Sequence, residues 1–154
     1  MKFLADHMLG TLAKWLRLLG QDVTYPGPVA DNDLKAEAEK EGRTILTRDR
    51  ELAGRVAGGI YIESDDLEEQ LLQVMRAFGI PPDLRPERCS VCNSPLAAVA
   101  KADVAGKVPE KVLEYQQEFW HCAKCGRFYW KGSHWTRMEE RLRALREKSG
   151  GPVS

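Results

Sequence analysis

The chain has 154 residues, 43% of them hydrophobic, with 23 Lys/Arg balanced by 23 Asp/Glu, which suits one domain or one small domain with an appended module. No apolar run approaches the ~20 residues that span a bilayer, and Asp6 and His7 interrupt the amino terminus too early for a signal peptide, so a soluble, cytoplasmic protein with no membrane partner is expected. The charges are unevenly placed: residues 1–83 hold 10 Lys/Arg against 15 Asp/Glu and residues 84–154 hold 13 against 8, which suggests a carboxylate-lined cleft and a separate surface for a polyanion.

Lys2-Phe3-Leu4-Ala5 is an apolar run closed by Asp6, the pattern of a buried parallel strand that delivers an acid to its carboxyl end. Leu9, Leu12, Ala13, Leu16 and Leu19 then fall on one helical face, with Gly20 placed to end the helix. Lys14 and Arg17 fall on the opposite side, and Trp15 and Leu18 on the flanks, where they can cover a second module. Asp22-Val23-Thr24-Tyr25 reads as a second strand, broken by Pro26-Gly27-Pro28. Asp31-Asn32-Asp33 opens an exposed helix that Gly42 stops. Thr44-Ile45-Leu46-Thr47 is a third strand, followed by Arg48-Asp49 and a short helix to Val56. Ile60-Tyr61-Ile62 is a fourth strand. Leu67, Leu71, Val74, Met75 and Phe78 mark an amphipathic helix capped by Ser64 or Asp65 and closed by Gly79.

This alternation indicates a small α/β sandwich with a parallel sheet. An order with the first strand between the second and third brings Asp6 and Asp49 to one crevice. Pro81-Pro82 and Pro86 mark a linker between residues 1–80 and residues 87–148. Cys89-Ser90-Val91-Cys92 and Cys122-Ala123-Lys124-Cys125 follow, separated by 29 residues that include a short helical piece near 110–117. Phe128-Tyr129-Trp130 reads as a strand. Thr136 and Glu139 form a capping box for a last helix, with Met138, Leu142 and Leu145 inside and arginines, among them Arg137 and Arg141, on its other faces. The tail from Ser149 is expected to be disordered.

Two constellations carry chemistry. Cys89, Cys92, Cys122 and Cys125, each pair followed by a small turn former (Asn93, Gly126), have the spacing of a closed tetrahedral zinc site, which is structural rather than catalytic. A segment of ~60 residues with few aliphatics cannot hold itself together by burial alone. Its loss of zinc is expected to loosen residues after about 85 and leave the first four strands folded. Asp6, Asp31, Asp33 and Asp49 form a carboxylate set without histidines, which suits a hard cation such as magnesium or manganese; the plain alternative for each is a helix cap or turn. Lys14, Arg17 and Arg48 are candidate phosphate contacts near that crevice. Phe119, Trp120, Phe128, Tyr129, Trp130 and Trp135 offer stacking surfaces for unpaired bases or a packed core for the cysteine module.

Leu4-Ala5-Asp6, Met8-Leu9-Gly10, Trp15-Leu16-Arg17-Leu18-Leu19-Gly20 and Thr47-Arg48-Asp49 together resemble the PIN-like ribonucleases, in the subgroup named for the C-terminal domain of the Mut-seven exonuclease. Arg88-Cys89, Cys92-Asn93, Phe119-Trp120 and Tyr129-Trp130-Lys131-Gly132-Ser133-His134-Trp135 resemble that subgroup's zinc ribbon. The resemblance covers about residues 2 to 142. It implies a three-layer PIN-like sandwich with a parallel sheet, followed by a zinc ribbon and a terminal helix. It further implies a metal-dependent RNase in which Asp6 and Asp49 hold magnesium or manganese, with Asp31 or Asp33 completing the site; the chain departs from the family at the fourth acid that many PIN nucleases carry, where only Asp65 or Asp66 stands, without the motif. Single-stranded RNA would be the partner, gripped in part by Arg137 and Arg141. The competing reading is a non-catalytic RNA-binding or adaptor module in which the ribbon does the binding.

Overall fold

The computed structural model describes residues 1–148; the tail from Ser149 lies outside the described residues. Strands β1 (Lys2–Ala5), β2 (Asp22–Thr24), β3 (Thr44–Thr47) and β4 (Ile60–Tyr61) form one parallel sheet in the order β2-β1-β3-β4. The connections carry α1 (Gly10–Leu18, entered by a 3₁₀ turn at His7–Leu9), α2 (Asp31–Glu41) and α3 (Arg50–Arg55), and α4 (Leu67–Phe78) follows β4.

Why the strands are apolar throughout follows from the layers. Side chains alternate between the faces of a strand, and here both faces are covered. Phe3, Ala5, Val23 and Leu46 pack with Leu12 and Leu16 of α1 and Leu71, Val74 and Met75 of α4. Leu4 and Ile45 point the other way, onto Leu34 and Ala38 of α2 and Leu52 of α3. The result is the expected three-layer α/β sandwich. The helix at α2 is less exposed than its sequence suggests, because Leu34 and Ala38 alone suffice to dock it. Gly42 and Gly79 take the left-handed conformation that closes α2 and α4 (φ 67° and 64°), as glycine at that position allows without steric cost.

The second half builds a three-stranded antiparallel sheet from β5 (Ala97–Val99), β6 (Phe119–His121) and β7 (Phe128–Tyr129), in that order, with α5 (Glu110–Tyr115) in the β5–β6 connection. Helix α6 (Ser133–Lys148) follows. Its Met138, Leu142 and Leu145 join the same apolar cluster as Trp15 and Leu18, beside α1 and α4. The last helix therefore packs on the parallel-sheet layer.

Two caps differ from expectation. Helix α4 is capped by Asp66, whose carboxylate accepts from the Glu69 amide at 3.1 Å, while Ser64 accepts from the Asp66 amide. Helix α6 starts a turn before Thr136, whose hydroxyl donates back to the Gly132 carbonyl at 3.2 Å, a local bond that competes with forward capping. No helix among the described residues is long and apolar enough to cross a membrane.

Candidate functional site

In an open parallel sheet, ligands sit beyond the carboxyl ends of strands at the point where successive connections leave in opposite directions. Here that point lies between β1, which connects outward to β2, and β3, which connects outward to β4. Asp6 and Asp49 stand one and two residues past those two strand ends.

Thr47 joins them. Its hydroxyl, fully buried, donates to Asp6 Oδ2 at 2.8 Å and accepts from the Asp49 amide at 2.9 Å. Asp6 Oδ1 accepts from the His7 amide at 2.7 Å and lies 3.0 Å from His7 Nδ1. Burial by itself would raise the Asp6 carboxyl, but the hydrogen bonds from Thr47 and His7 outweigh it and hold the pKa below the ordinary carboxylate value. Asp6 is thus a nearly buried acid kept ionised. Asp49 caps α3, its Oδ1 accepting from the amides of Glu51 (2.9 Å) and Leu52 (3.2 Å).

The remaining acids are placed differently. Asp31, in the first turn of α2, pairs with Arg55 at 2.9 Å. Asp33 is exposed on the same turn. Among the described residues, the four cysteines are the set of three or more His, Cys, Asp or Glu ligand atoms that lie within 4.8 Å of one another, so Asp6, Asp31, Asp33 and Asp49 are not drawn into one tight cluster. Arg48 Nη1 donates to the carbonyls of Ile62 (3.0 Å) and Glu63 (2.7 Å), fixing the chain that leaves β4.

Cys89, Cys92, Cys122 and Cys125 converge from two knuckles of the same backbone design. In the first, the Asn93 amide donates to the Cys89 carbonyl and the Cys89 amide to the Ser94 carbonyl; in the second, Gly126 donates to Cys122 and Cys122 to Arg127. Asn93 (φ 70°) and Gly126 (φ 74°) supply the left-handed turn in each, as their residue types suggest. Sulfur separations of 3.5 Å (Cys89–Cys125) and 3.4 Å (Cys92–Cys122) approach the roughly 3.8 Å edge of a tetrahedron with ~2.3 Å zinc–sulfur bonds. The four thiols fit a zinc ion. Burial and the neighbouring Cys89 push the Tyr129 phenol up, so it stays protonated, 3.0 Å from the Cys89 sulfur.

The basic candidates divide. Lys14 is exposed on α1. Arg17, placed by periodicity on the solvent side, is 7% exposed. Its Nε donates to the Val23 carbonyl at 2.9 Å, and Nη1 to the carbonyls of Ser90 and Val91 at 3.2 Å. The first cysteine knuckle covers that side of α1, so Arg17 is a packing residue with its Nε and Nη1 donors committed, not a surface cation. Arg137 is exposed. Arg141 lies over the Trp15 ring at 5.3 Å and 3.6 Å from Glu68.

His7 and Asp22 carry no motif, and although Thr47 and Asn93 stand inside Thr47-Arg48-Asp49 and Cys92-Asn93, those motifs do not reveal their side-chain contacts. Asn93 Oδ1 accepts from the Val23 amide at 2.9 Å and Nδ2 donates to Asp22 at 2.7 Å. For Thr47 the signal is a polar residue at the end of a strand whose centre is apolar.

A family model described as the Mut7-C RNAse domain matches residues 1–142. No curated protein and no solved structure matches the chain. The match spans nearly the whole sequence, and the chain belongs to that family.

Proposed function

From membership of a ribonuclease-domain family, we propose that this protein is a hydrolase that cleaves RNA phosphodiester bonds in the cytoplasm, with magnesium or manganese held by Asp6 and Asp49. The observation that carries this reading is one buried hydroxyl at the switch point of the sheet that ties the Asp6 carboxylate to the backbone amide of Asp49. Carboxylate oxygens are the donors that hard divalent cations take. When bound, such an ion supplies water activation and neutralises charge on the phosphodiester.

The chain's own residues do the rest. Thr47 and His7 hold Asp6 ionised and fixed in orientation. The α3 amides fix Asp49. Asp31 or Asp33, at the start of α2, orients the attacking water. Zinc on the four cysteines is structural, and single-stranded RNA is the partner.

One observation favours the non-catalytic alternative: both Asp6 and Asp49 accept hydrogen bonds from the helical turns that follow them, and capping alone would account for an acid at each place. The two readings separate on Asp6→Asn and Asp49→Asn. Each variant keeps the volume but removes a charge, so cleavage of an unstructured RNA should fall by orders of magnitude and recover partly at high manganese. A pure cap would instead keep its acceptor, since Asn caps a helix as well as Asp, so both variants would hold near wild-type stability with no manganese dependence. Wild-type cleavage rates in both variants would exclude the two-aspartate site.

A further inference from the structure

Two adjoining hollows, of about 430 and 500 Å³, lie where α1, the cysteine module and the start of α6 meet; they share Lys14, Ser90, Phe128, Tyr129 and Trp130 as a common wall. The larger adds Lys107 and Arg127, and the smaller adds His134 and Trp135. Among the described residues no carboxylate lines either one, in a chain with as many acids as bases. The rings are held in place from behind: fully buried Phe119 packs on Trp130 (centroids 6.4 Å apart). A Cβ on Gly132 would come within 2.9 Å of the Trp130 indole nitrogen, so the missing side chain at 132 is what lets that ring lie against the backbone.

We propose that this groove is the seat of single-stranded RNA, with a base stacked in the aromatic hollow beside Trp130 and Trp135 and the flanking phosphates on Lys14, Lys107 and Arg127. The inference rests on the RNA-cleaving reading and deepens it by moving RNA recognition off the arginines of α6. Charge complementarity selects the occupant: exposed cations without acids attract a polyanion, and aromatic faces beside them suit unpaired bases, which duplex RNA keeps stacked away. An acidic protein segment would use the cations alone.

The test is binding of a labelled single-stranded oligonucleotide to the zinc-loaded full chain without added magnesium or manganese, at several salt concentrations. Lys14→Gln, Lys107→Gln and Arg127→Gln combined should weaken binding at least tenfold and lower the salt slope by roughly 2, at ~0.7 per single-strand phosphate contact. Trp130→Leu should weaken it by roughly tenfold with the salt slope unchanged, and Trp130→Phe should recover most of that loss; zinc content reports whether each variant is folded. Arg137→Gln with Arg141→Gln should do less than the groove triple. Duplex RNA bound as tightly as single strands, polyglutamate competing as well as RNA, or a larger effect from the α6 pair would overturn the groove. Wild type that binds and cuts RNA while the groove variants match it would sink this inference alone. Wild type that neither binds nor cuts RNA would remove the functional reading beneath it.

Discussion

Thr47 shows how one hydroxyl sets the chemistry of an edge. Valine would satisfy the strand pattern and fill nearly the same volume, so packing does not explain the residue. Its hydroxyl donates to Asp6 and accepts from the Asp49 amide. Thr47→Val leaves that amide short of an acceptor and the Asp6 carboxylate short of a donor, at a cost of about 1–3 kcal/mol. The pH dependence follows from the direction of the Asp6 shift. Its folded pKa is depressed, so its contribution to stability is present above the unfolded value near 3.9 and is lost as pH falls through the folded value. Removing a hydrogen bond to the ionised form raises the folded pKa and shrinks that contribution. The stability gap between wild type and Thr47→Val should therefore be widest near neutral pH and narrow below about pH 4, as read by urea midpoints. A gap that stayed constant across that range would mean Asp6 does not feel the hydroxyl.

The first knuckle is an element with two jobs, bringing two sulfurs to the four-thiol cluster and docking on α1 and β2. Asn93 serves both through its left-handed backbone and its side-chain bridge to the Val23 amide and Asp22. Asn93→Gly preserves the turn and removes only the bridge. It should cost about 1–3 kcal/mol and leave one zinc per chain by elemental analysis; a loss of zinc would show that the bridge shapes the turn as well. This is also where legibility in the sequence ends. The alternation of short apolar runs with helical stripes reveals the sandwich, and the expected order, with β1 between β2 and β3, is the one observed and sets the two strands that end in acids side by side. Residue type at Asn93 and Gly126 reveals the turns. Arg17 is different: a cation on the polar side of an amphipathic stripe reads as solvated, and the carbonyls that bury it come from Ser90 and Val91, 73 and 74 residues away. Strand β5 was equally silent, since Ala97-Ala98-Val99 has neither length nor alternation, and its pairing depends on β6.

At the scale of the whole molecule, the segment that carries the cysteines is anchored at both ends to the parallel-sheet layer, through Arg17 and Asn93 at one and α6 at the other. The sequence alone leads one to expect that zinc loss melts this segment and spares the first four strands. The structure argues for a wider effect. Unfolding residues between α4 and α6 merely lengthens a loop, and each doubling costs only ~0.6 kcal/mol. It also strips the Ser90 and Val91 acceptors from Arg17, whose guanidinium carries charge partners in Cys89, Cys92 and Asp22. Water then takes the place of those carbonyls, so the loss is the net worth of hydrogen bonds to a charged group, about 1.5–3 kcal/mol, which still outweighs the loop term. Zinc removal should then lower the midpoint of the sheet and helices themselves, and the size of that drop should depend on residue 17. Arg17→Met provides the comparison: it replaces the guanidinium with an apolar chain that needs no carbonyls. Measuring stability with and without zinc for both proteins closes a cycle, and the coupling between zinc and Arg17 should be about 1–3 kcal/mol. The methionine variant should be the less stable protein with zinc bound and should lose less when zinc is withdrawn. Equal zinc effects in the two proteins would show that the knuckle and α1 touch without depending on each other.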